Sequence, residues 1–483
     1  MIDSALLPHL QGYIGGRWAA GGGGRDITVH NPATGEELAR IPAMGSADVA
    51  AAVAAASAAL ARPAALETRR RWLQQIVDAL LGNKQELGRI LTLEHGKPWP
   101  EAQVEVEYAA GFFRYCAEQI QALEPRTLRE RPRDMTWTVY YRPAGVAALI
   151  TPWNFPIGMI AKKLAAALAA GCPTVIKPSS KTPLTMIALF TLLERELELP
   201  AGMVNLVIGP AGEIGDALCR HPEVQVLSFT GSTEIGRDLM AKCAPQIKKV
   251  ALELGGNAPF IVFDDADLDQ AAEQLLANKF RGAGQTCVCA NRVLVQRGAL
   301  EAFTAKVAER VSRLKVGNGM EPGVDIGPLI DRAGFNKVRR HVEDALAQGA
   351  RLVTGELPPA AEQDWGCFYP PTVLADVRPD MLVQREETFG PLVPIMPFDD
   401  ESEAIRIAND VEFGLAAYVF TGDSGRAERV IPQLRFGHVG HNTGSGPTPE
   451  APFGGMKQSG LGREGGIEGL FEFVEPQTVP SAS

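Results

Sequence analysis

The stretch VQVLSFTGSTEIG, residues 224–236, decides how this chain is read. An apolar, β-branched run from Val224 to Thr230 ends at Gly231 and Ser232, and a helical pattern follows at once. A strand, a tight Gly/Ser turn and a helix N-terminus can hold an anion or a pyrophosphate, although glycine is also common there for packing alone. Similar units lie on both sides. Upstream come VAALI (146–150), the loop TPWNFP (151–156), a helix from Gly158 to Ala170 closed by Gly171, TVIK (174–177) and VNLVIG (204–209). Downstream, FIVF (260–263), a helix from Leu268 and RVLVQ (292–296) open a second series that runs to about Gly440. Short apolar runs alternating with helices imply parallel sheets joined by right-handed crossovers. The fold class is therefore α/β, with a doubly wound parallel-sheet domain, a second α/β domain and a small β element.

The remaining sequence sets the boundaries. The first 45 residues carry turn signals, and helical patterns run from Leu66 to about Gln121 with a break at Gly96-Lys97-Pro98. Residues 125–143 end in the alternating TWTVYYRP, which reads as a strand excursion. We expect a dinucleotide-binding domain from 1–124 and 144–253, a catalytic domain from 254–458, and an oligomerisation element from 125–143 and 459–483. At 483 residues the chain suits about three lobes. It carries 47 Lys and Arg against 57 Asp and Glu, a net charge of −10, with no basic run to meet nucleic acid or an anionic membrane. No transmembrane run or signal peptide is read, and the seven cysteines are odd and scattered, so the expected compartment is the cytoplasm. Cys-x-x-Cys and His-Glu-x-x-His are both missing, so no metal is expected.

Three residues stand out chemically. Cys287 follows Gly282-Ala283-Gly284-Gln285-Thr286, a polar, flexible loop unlike the setting of an apolar filler, and a nucleophilic role fits it. Glu253, in VALELGGN, lies between an apolar strand and two glycines. Burial there would raise its pKa and suit it to accept a proton, unless a salt bridge or the turn satisfies it. Asn154, between two prolines in PWNFP, could donate to an oxyanion or cap its own turn. A G-x-G-x-x-G after a strand is missing. Lys177, Ser179, Ser180 and Lys181, at the end of TVIK, could instead grip ribose and phosphate oxygens.

Taken together, TPWNFP, KPSSKTP (177–183), SFTGSTEIG (228–236), LELGGNAPFIV (252–262), FRGAGQTCVCANR (280–292), EETFGP (386–391) and PFGGMKQSGLGREG (452–465) resemble the aldehyde dehydrogenase superfamily along nearly the whole chain. The wording is most similar to the succinate-semialdehyde dehydrogenase branch. The resemblance implies Cys287 as the nucleophile, Asn154 with the Cys287 N–H as the oxyanion site, and Glu253 as the base that hydrolyses a thioester. It implies a nicotinamide cofactor held by Lys177, Glu387 and Phe389, with Trp153, Gly231, Ser232 and Leu254 nearer the pyrophosphate. Strictly NAD-dependent relatives tend to carry a glutamate where Ser180 stands, so NADP is expected beside or ahead of NAD, with Lys181 attracting the 2′-phosphate.

For the substrate, the resemblance implies an anionic aldehyde. Arg281 matches one of the branch's two arginines, Lys162 replaces the other, and Pro447 falls where a serine is usual. Lys162 either faces the substrate or snorkels from its helix. Phe155 and His441 are expected to line the pocket. Succinate semialdehyde is the first expectation; a sulfonated aldehyde such as sulfolactaldehyde, a broad aldehyde scavenger and a cofactor-independent cysteine esterase are alternatives. A homo-oligomer, dimer or tetramer, is implied. Cys287 and Cys289, two positions apart, could form a regulatory disulfide.

Overall fold

The computed structural model describes residues 2–22, 24–128 and 135–482; residues 1, 23, 129–134 and 483, which fall within the expected first domain and oligomerisation element, lie outside the described residues. Among the described residues the first sheet has eight strands, in the order Arg17–Ala19, Gly12–Ile14, Val204–Leu206, Thr174–Lys177, Val146–Ile150, Val224–Thr230, Lys249–Glu253 and Gly460–Leu461. Its five central strands are parallel. One face packs against the helices Leu66–Gly82, Lys84–His95, Trp99–Gln119, Pro156–Ala170 and Leu184–Glu196, through Ile76, Phe113, Leu164 and Phe190. The other packs against Ser46–Leu60, Ala211–Arg220 and Thr233–Cys243, through Val53, Leu218 and Leu239. Helices on both faces explain why Val146 to Ile150 is apolar at every position and buried throughout.

The second sheet has seven strands among the described residues, ordered Arg351–Thr354, Thr372–Ala375, Leu392–Phe398, Ala290–Gln296, Ala258–Val262, Ala416–Phe420 and His438–His441. All its pairs are parallel except the outermost pair of Arg351–Thr354 with Thr372–Ala375. Its core includes Phe260, Val293, Phe303 and Tyr418. A third sheet joins Arg126–Thr127, Met135–Pro143 and the long strand Val474–Ala482.

The chain end departs from the expected boundaries. Residues 459–483 do not act as one unit: Gly460–Leu461 pairs with Leu252 and Glu253 at the edge of the first sheet. The helix Gly466–Phe471 buries Leu470 in the core formed by Trp99–Gln119 and Pro156–Ala170. Gly460 makes this possible, because a Cβ there would meet the Leu252 carbonyl oxygen at 2.1 Å and its φ is +151°. No helix among the described residues is long and apolar enough to cross a membrane.

Candidate active site

The site gathers at the C-terminal ends of the central strands of the first sheet and against the loop before Ala290–Gln296. A cleft of about 600 Å³ is lined by Trp153, Lys177, Ser179, Lys181, Gly231, Ser232, Leu254, Glu387 and Phe389, residues for which the sequence suggests a cofactor role. A smaller cavity of 110 Å³ is lined by Tyr108, Phe155, Lys162, Arg281, Pro447 and Phe453, among others. Cys287 lines both.

The loop that presents Cys287 is held open by backbone conformation. Gly282, Ala283 and Gly284 have φ of 59°, 58° and 75° in succession. Gly284 passes so close to Gly390 that a Cβ would lie 2.2 Å from its carbonyl oxygen. Gln285 stabilises the turn, donating to the Gly282 carbonyl at 3.0 Å and accepting from the Ile330 N–H at 2.9 Å. Ala283, a residue with a Cβ, is held in the left-handed region, a costly conformation. Burial pushes the Cys287 thiol up to about 12, against the pull of Lys162.

Glu253 ends the strand Lys249–Glu253 and is buried, 4% exposed; among the described residues neither of its carboxylate oxygens has a hydrogen-bond partner. Burial first, and then the neighbouring Glu464, holds its carboxyl well above the usual range, while Lys162, Lys163 and Arg463 oppose this. The following Gly256 lets the Glu253 loop lie against the Cys287 loop: a Cβ there would sit 2.6 Å from the Cys287 carbonyl oxygen.

Asn154 donates from its side-chain amide to the Gln285 carbonyl at 3.0 Å, and its buried Oδ1 has no partner among the described residues. Its backbone carbonyl accepts from Lys97 Nζ at 2.9 Å. Lys97 is paired with Glu105 at 2.6 Å, and the other Glu105 oxygen accepts from the N–H groups of Ile157 and Gly158, both at 3.1 Å. A fully buried ion pair thus fixes the loop that carries Asn154. Sequence reading took Gly96-Lys97-Pro98 only as a helix break; Glu105, a carboxylate among Ala102, Val106 and Ala109 on the buried face of Trp99–Gln119, was the missed signal.

In the cleft, Lys177 donates to the Pro178 carbonyl at 2.9 Å, and burial lowers its ammonium to about 8. Glu387 accepts from the Gly256 N–H at 3.2 Å, and burial raises its carboxyl to about 7. Phe389 holds φ of 59° and meets Trp153 edge-on at 5.7 Å. Ser232 caps the helix Thr233–Cys243 by accepting from the Ile235 N–H at 3.4 Å. These features fit a dinucleotide: a helix N-terminus for its phosphates, and an ammonium and a carboxylate for ribose hydroxyls.

Two expected residues fall elsewhere. Ser180 is not among the cleft residues, because its hydroxyl turns away to donate to the Gly209 carbonyl at 3.2 Å. His441 is exposed at the end of the outermost strand of the second sheet and does not line the cavity; Pro447 and Phe453 form that wall. Lys162 does not snorkel: it is 3% exposed, lies 4.5 Å over the Phe453 ring and is 3.8 Å from Glu464. Lys181 pairs with Asp331, which lines the cleft beside it. Sequence reading also missed Tyr108, Glu101 and Glu464. Cys289 lines neither cavity; it is buried, with its thiol donating to the Gly284 carbonyl at 3.4 Å and accepting from Lys279 at 3.7 Å. A bond to Cys287 therefore requires it to leave both partners.

This geometry has known counterparts. The sequence pattern described as "Aldehyde dehydrogenase family" matches residues 18–479. The chain belongs to the aldehyde dehydrogenase family. Membership makes it an NAD(P)-dependent oxidoreductase of aldehydes, as the sequence resemblance implied. It is 48% identical over 476 residues to glutarate-semialdehyde dehydrogenase of Pseudomonas aeruginosa, covering 98% of each chain. It is 49% identical to the NADP(+) succinate-semialdehyde dehydrogenase of Escherichia coli, again covering 98% of each. It is 48% identical to 3-sulfolactaldehyde dehydrogenase of Pseudomonas putida, covering 99% and 98%. Among solved structures, an oxidoreductase from Marinobacter aquaeolei superposes with a TM-score of 0.97 at 62% identity, covering 100% of both chains.

Proposed function

We propose that this aldehyde dehydrogenase oxidises a short anionic semialdehyde, of which succinate semialdehyde is the reference member, with Cys287 as the nucleophile. The observation that carries the reading is that Cys287 alone among the three expected catalytic residues borders both the cleft and the small cavity. A reacting atom on its sulfur is thus presented to a cofactor on one side and held by a substrate chamber on the other. Relatives named for succinate, glutarate and sulfolactaldehyde substrates support an aldehyde with a remote negative charge.

The residues divide the work as follows. Cys287 adds to the aldehyde carbon through its thiolate, the thiol proton having passed to solvent through the cleft, and the Asn154 amide with the Cys287 N–H receives the oxyanion. Lys177 and Glu387 would hold the nicotinamide ribose with Phe389 beside it, while Trp153, Gly231, Ser232 and Leu254 would border the pyrophosphate, and Ser179 and Lys181 the adenosine. NAD(P), when bound, would supply the hydride acceptor, and a thioester would remain on Cys287. Glu253, buried and with no hydrogen-bond partner among the described residues, takes a proton from the water that releases the carboxylate. Arg281 and Lys162 hold the substrate's anion, with Phe155 beside them.

The long strand Val474–Ala482, exposed along most of its length at one edge of the three-stranded sheet, supports assembly into a homo-oligomer by edge pairing. We assign the three lobes to cofactor binding, catalysis and this assembly. A reduced Cys287 and unpaired thiols suit the cytoplasm.

The test is nicotinamide reduction by the purified protein with succinate semialdehyde, a sulfonated aldehyde and butanal, each with NAD and NADP. We expect kcat/KM at least about tenfold higher for an anionic aldehyde than for butanal, as for one charge-assisted contact. Equal values would make the protein a broad scavenger, and ester cleavage without nicotinamide reduction would make it an esterase.

A further inference from the structure

Around Glu253 and Glu464 lie two buried lysines, with the partly buried Arg463 beside them. Lys163 donates to Glu464 and to the Ser228 hydroxyl, the latter at 3.0 Å. Lys162 Nζ stands 3.8 Å from the other Glu464 oxygen. Among the described residues, that Glu464 oxygen and both oxygens of Glu253 accept no hydrogen bond. The helix Pro156–Ala170 supplies both lysines, the loop after Gly460–Leu461 supplies Arg463 and Glu464, and the chamber loop supplies the Cys287 thiol. Arg463 is occupied by the carbonyls of Gly462 at 2.6 Å and Gly455 at 3.3 Å.

The two lysines are not equivalent. Lys163 faces only the buried cluster, whereas Lys162 also lines the chamber with Cys287, flanked by Tyr108 at 5.9 Å and Phe453 at 4.5 Å. We propose that Lys162 links the substrate's anion to the protonation of the Glu253–Glu464 pair. An anion drawn to Lys162 offsets its charge, leaves less positive charge facing the two carboxylates, and so favours uptake of one proton from solvent by the pair. The inference rests on the reading of Glu253 as the base. Burial and Glu464 raise the Glu253 carboxyl, and Lys162 is foremost among the groups that hold it down. Lys162 itself loses by burial, yet Tyr108, Glu464 and Glu253 keep its ammonium above the usual lysine value. Neutralising it therefore makes Glu253 a stronger proton acceptor, so the working range of the base depends on the charge of its substrate.

The experiment compares the acid limb of kcat for succinate semialdehyde and butanal in the unmodified enzyme. The midpoint should lie about one pH unit higher for the anionic substrate, the size expected when one close opposite charge is cancelled. Coincident limbs would overturn the proposal, while failure to reduce nicotinamide with any aldehyde would overturn the function itself. Lys162→Gln should raise the butanal limb by a similar amount, and Lys162→Arg should restore it. A Gln variant whose butanal limb stays in place overturns the coupling. Should the Gln variant not fold, the substrate comparison and the Arg variant decide alone.

Discussion

The side-chain amide of Asn154 donates to the backbone carbonyl of Gln285 at 3.0 Å. One bond thereby fastens the loop after Val146–Ile150 to the loop that carries Cys287, and it crosses from the first sheet to the second. The Lys97–Glu105 pair pins the Asn154 loop from the other side. The distance between an amide donor and the sulfur is thus set by two rigid sheets and a buried ion pair, not by loop flexibility.

Replacing Asn154 with Ala should lower kcat about 10²- to 10³-fold, as for loss of one oxyanion donor, with KM changed by less than that factor. Steady-state kinetics with succinate semialdehyde check it. An unchanged kcat removes Asn154 from the reaction.

Burial holds Cys287 as a thiol at neutral pH, with its pKa at about 12. The thiolate fraction then rises about tenfold per pH unit with no plateau below pH 10. Inactivation of the cofactor-free protein by iodoacetamide should follow that slope. A plateau below pH 8 would mean that the thiolate is already stabilised at rest.

Lys181 is engaged by Asp331, so its charge is only partly available to a 2′-phosphate. Asp331 also caps the helix Arg332–Ala347, accepting from the Gly334 N–H at 2.8 Å, a bond that an asparagine can keep. Asp331→Asn should lower KM for NADP several-fold and leave KM for NAD within about twofold, since a carboxylate repels only the extra phosphate. Equal changes for both cofactors would show that Lys181 does not read the phosphate.

Arg281 is exposed at the chamber wall, its guanidinium 5.2 Å from the Phe155 ring, with no ion pair among the described residues. Arg281→Ala should cost about tenfold or more in kcat/KM for an anionic aldehyde, and at most about twofold for butanal. Similar losses for both would reassign Arg281 to holding the loop.

Much of this was legible in the sequence because the informative residues sit at strand ends. Glycine turns after apolar runs located Gly231, Ser232 and Glu253, and a glycine-rich loop marked Cys287. Residues that act through tertiary charge balance left no such mark. Lys97, Glu105 and Glu464 look like ordinary surface charges until the helices pack, since burial depends on which helix face meets which neighbour. His441 was misplaced for the same reason: nearness to Pro447 along the chain did not tell which way an edge strand presents its side chain. Ser180 was misplaced because its hydroxyl found a closer acceptor in Gly209.

The pairing of Gly460–Leu461 with Leu252 and Glu253 has a consequence for how the chain matures. Until that return docks, Lys162 and Lys163 lie in the interior with Glu253 as their one nearby carboxylate and without the Glu464 contacts, a costly arrangement. Glu464 arrives with the docking, far downstream of the helix it neutralises. Completion of the sheet edge and assembly of the charges around Glu253 are consequently one closing event.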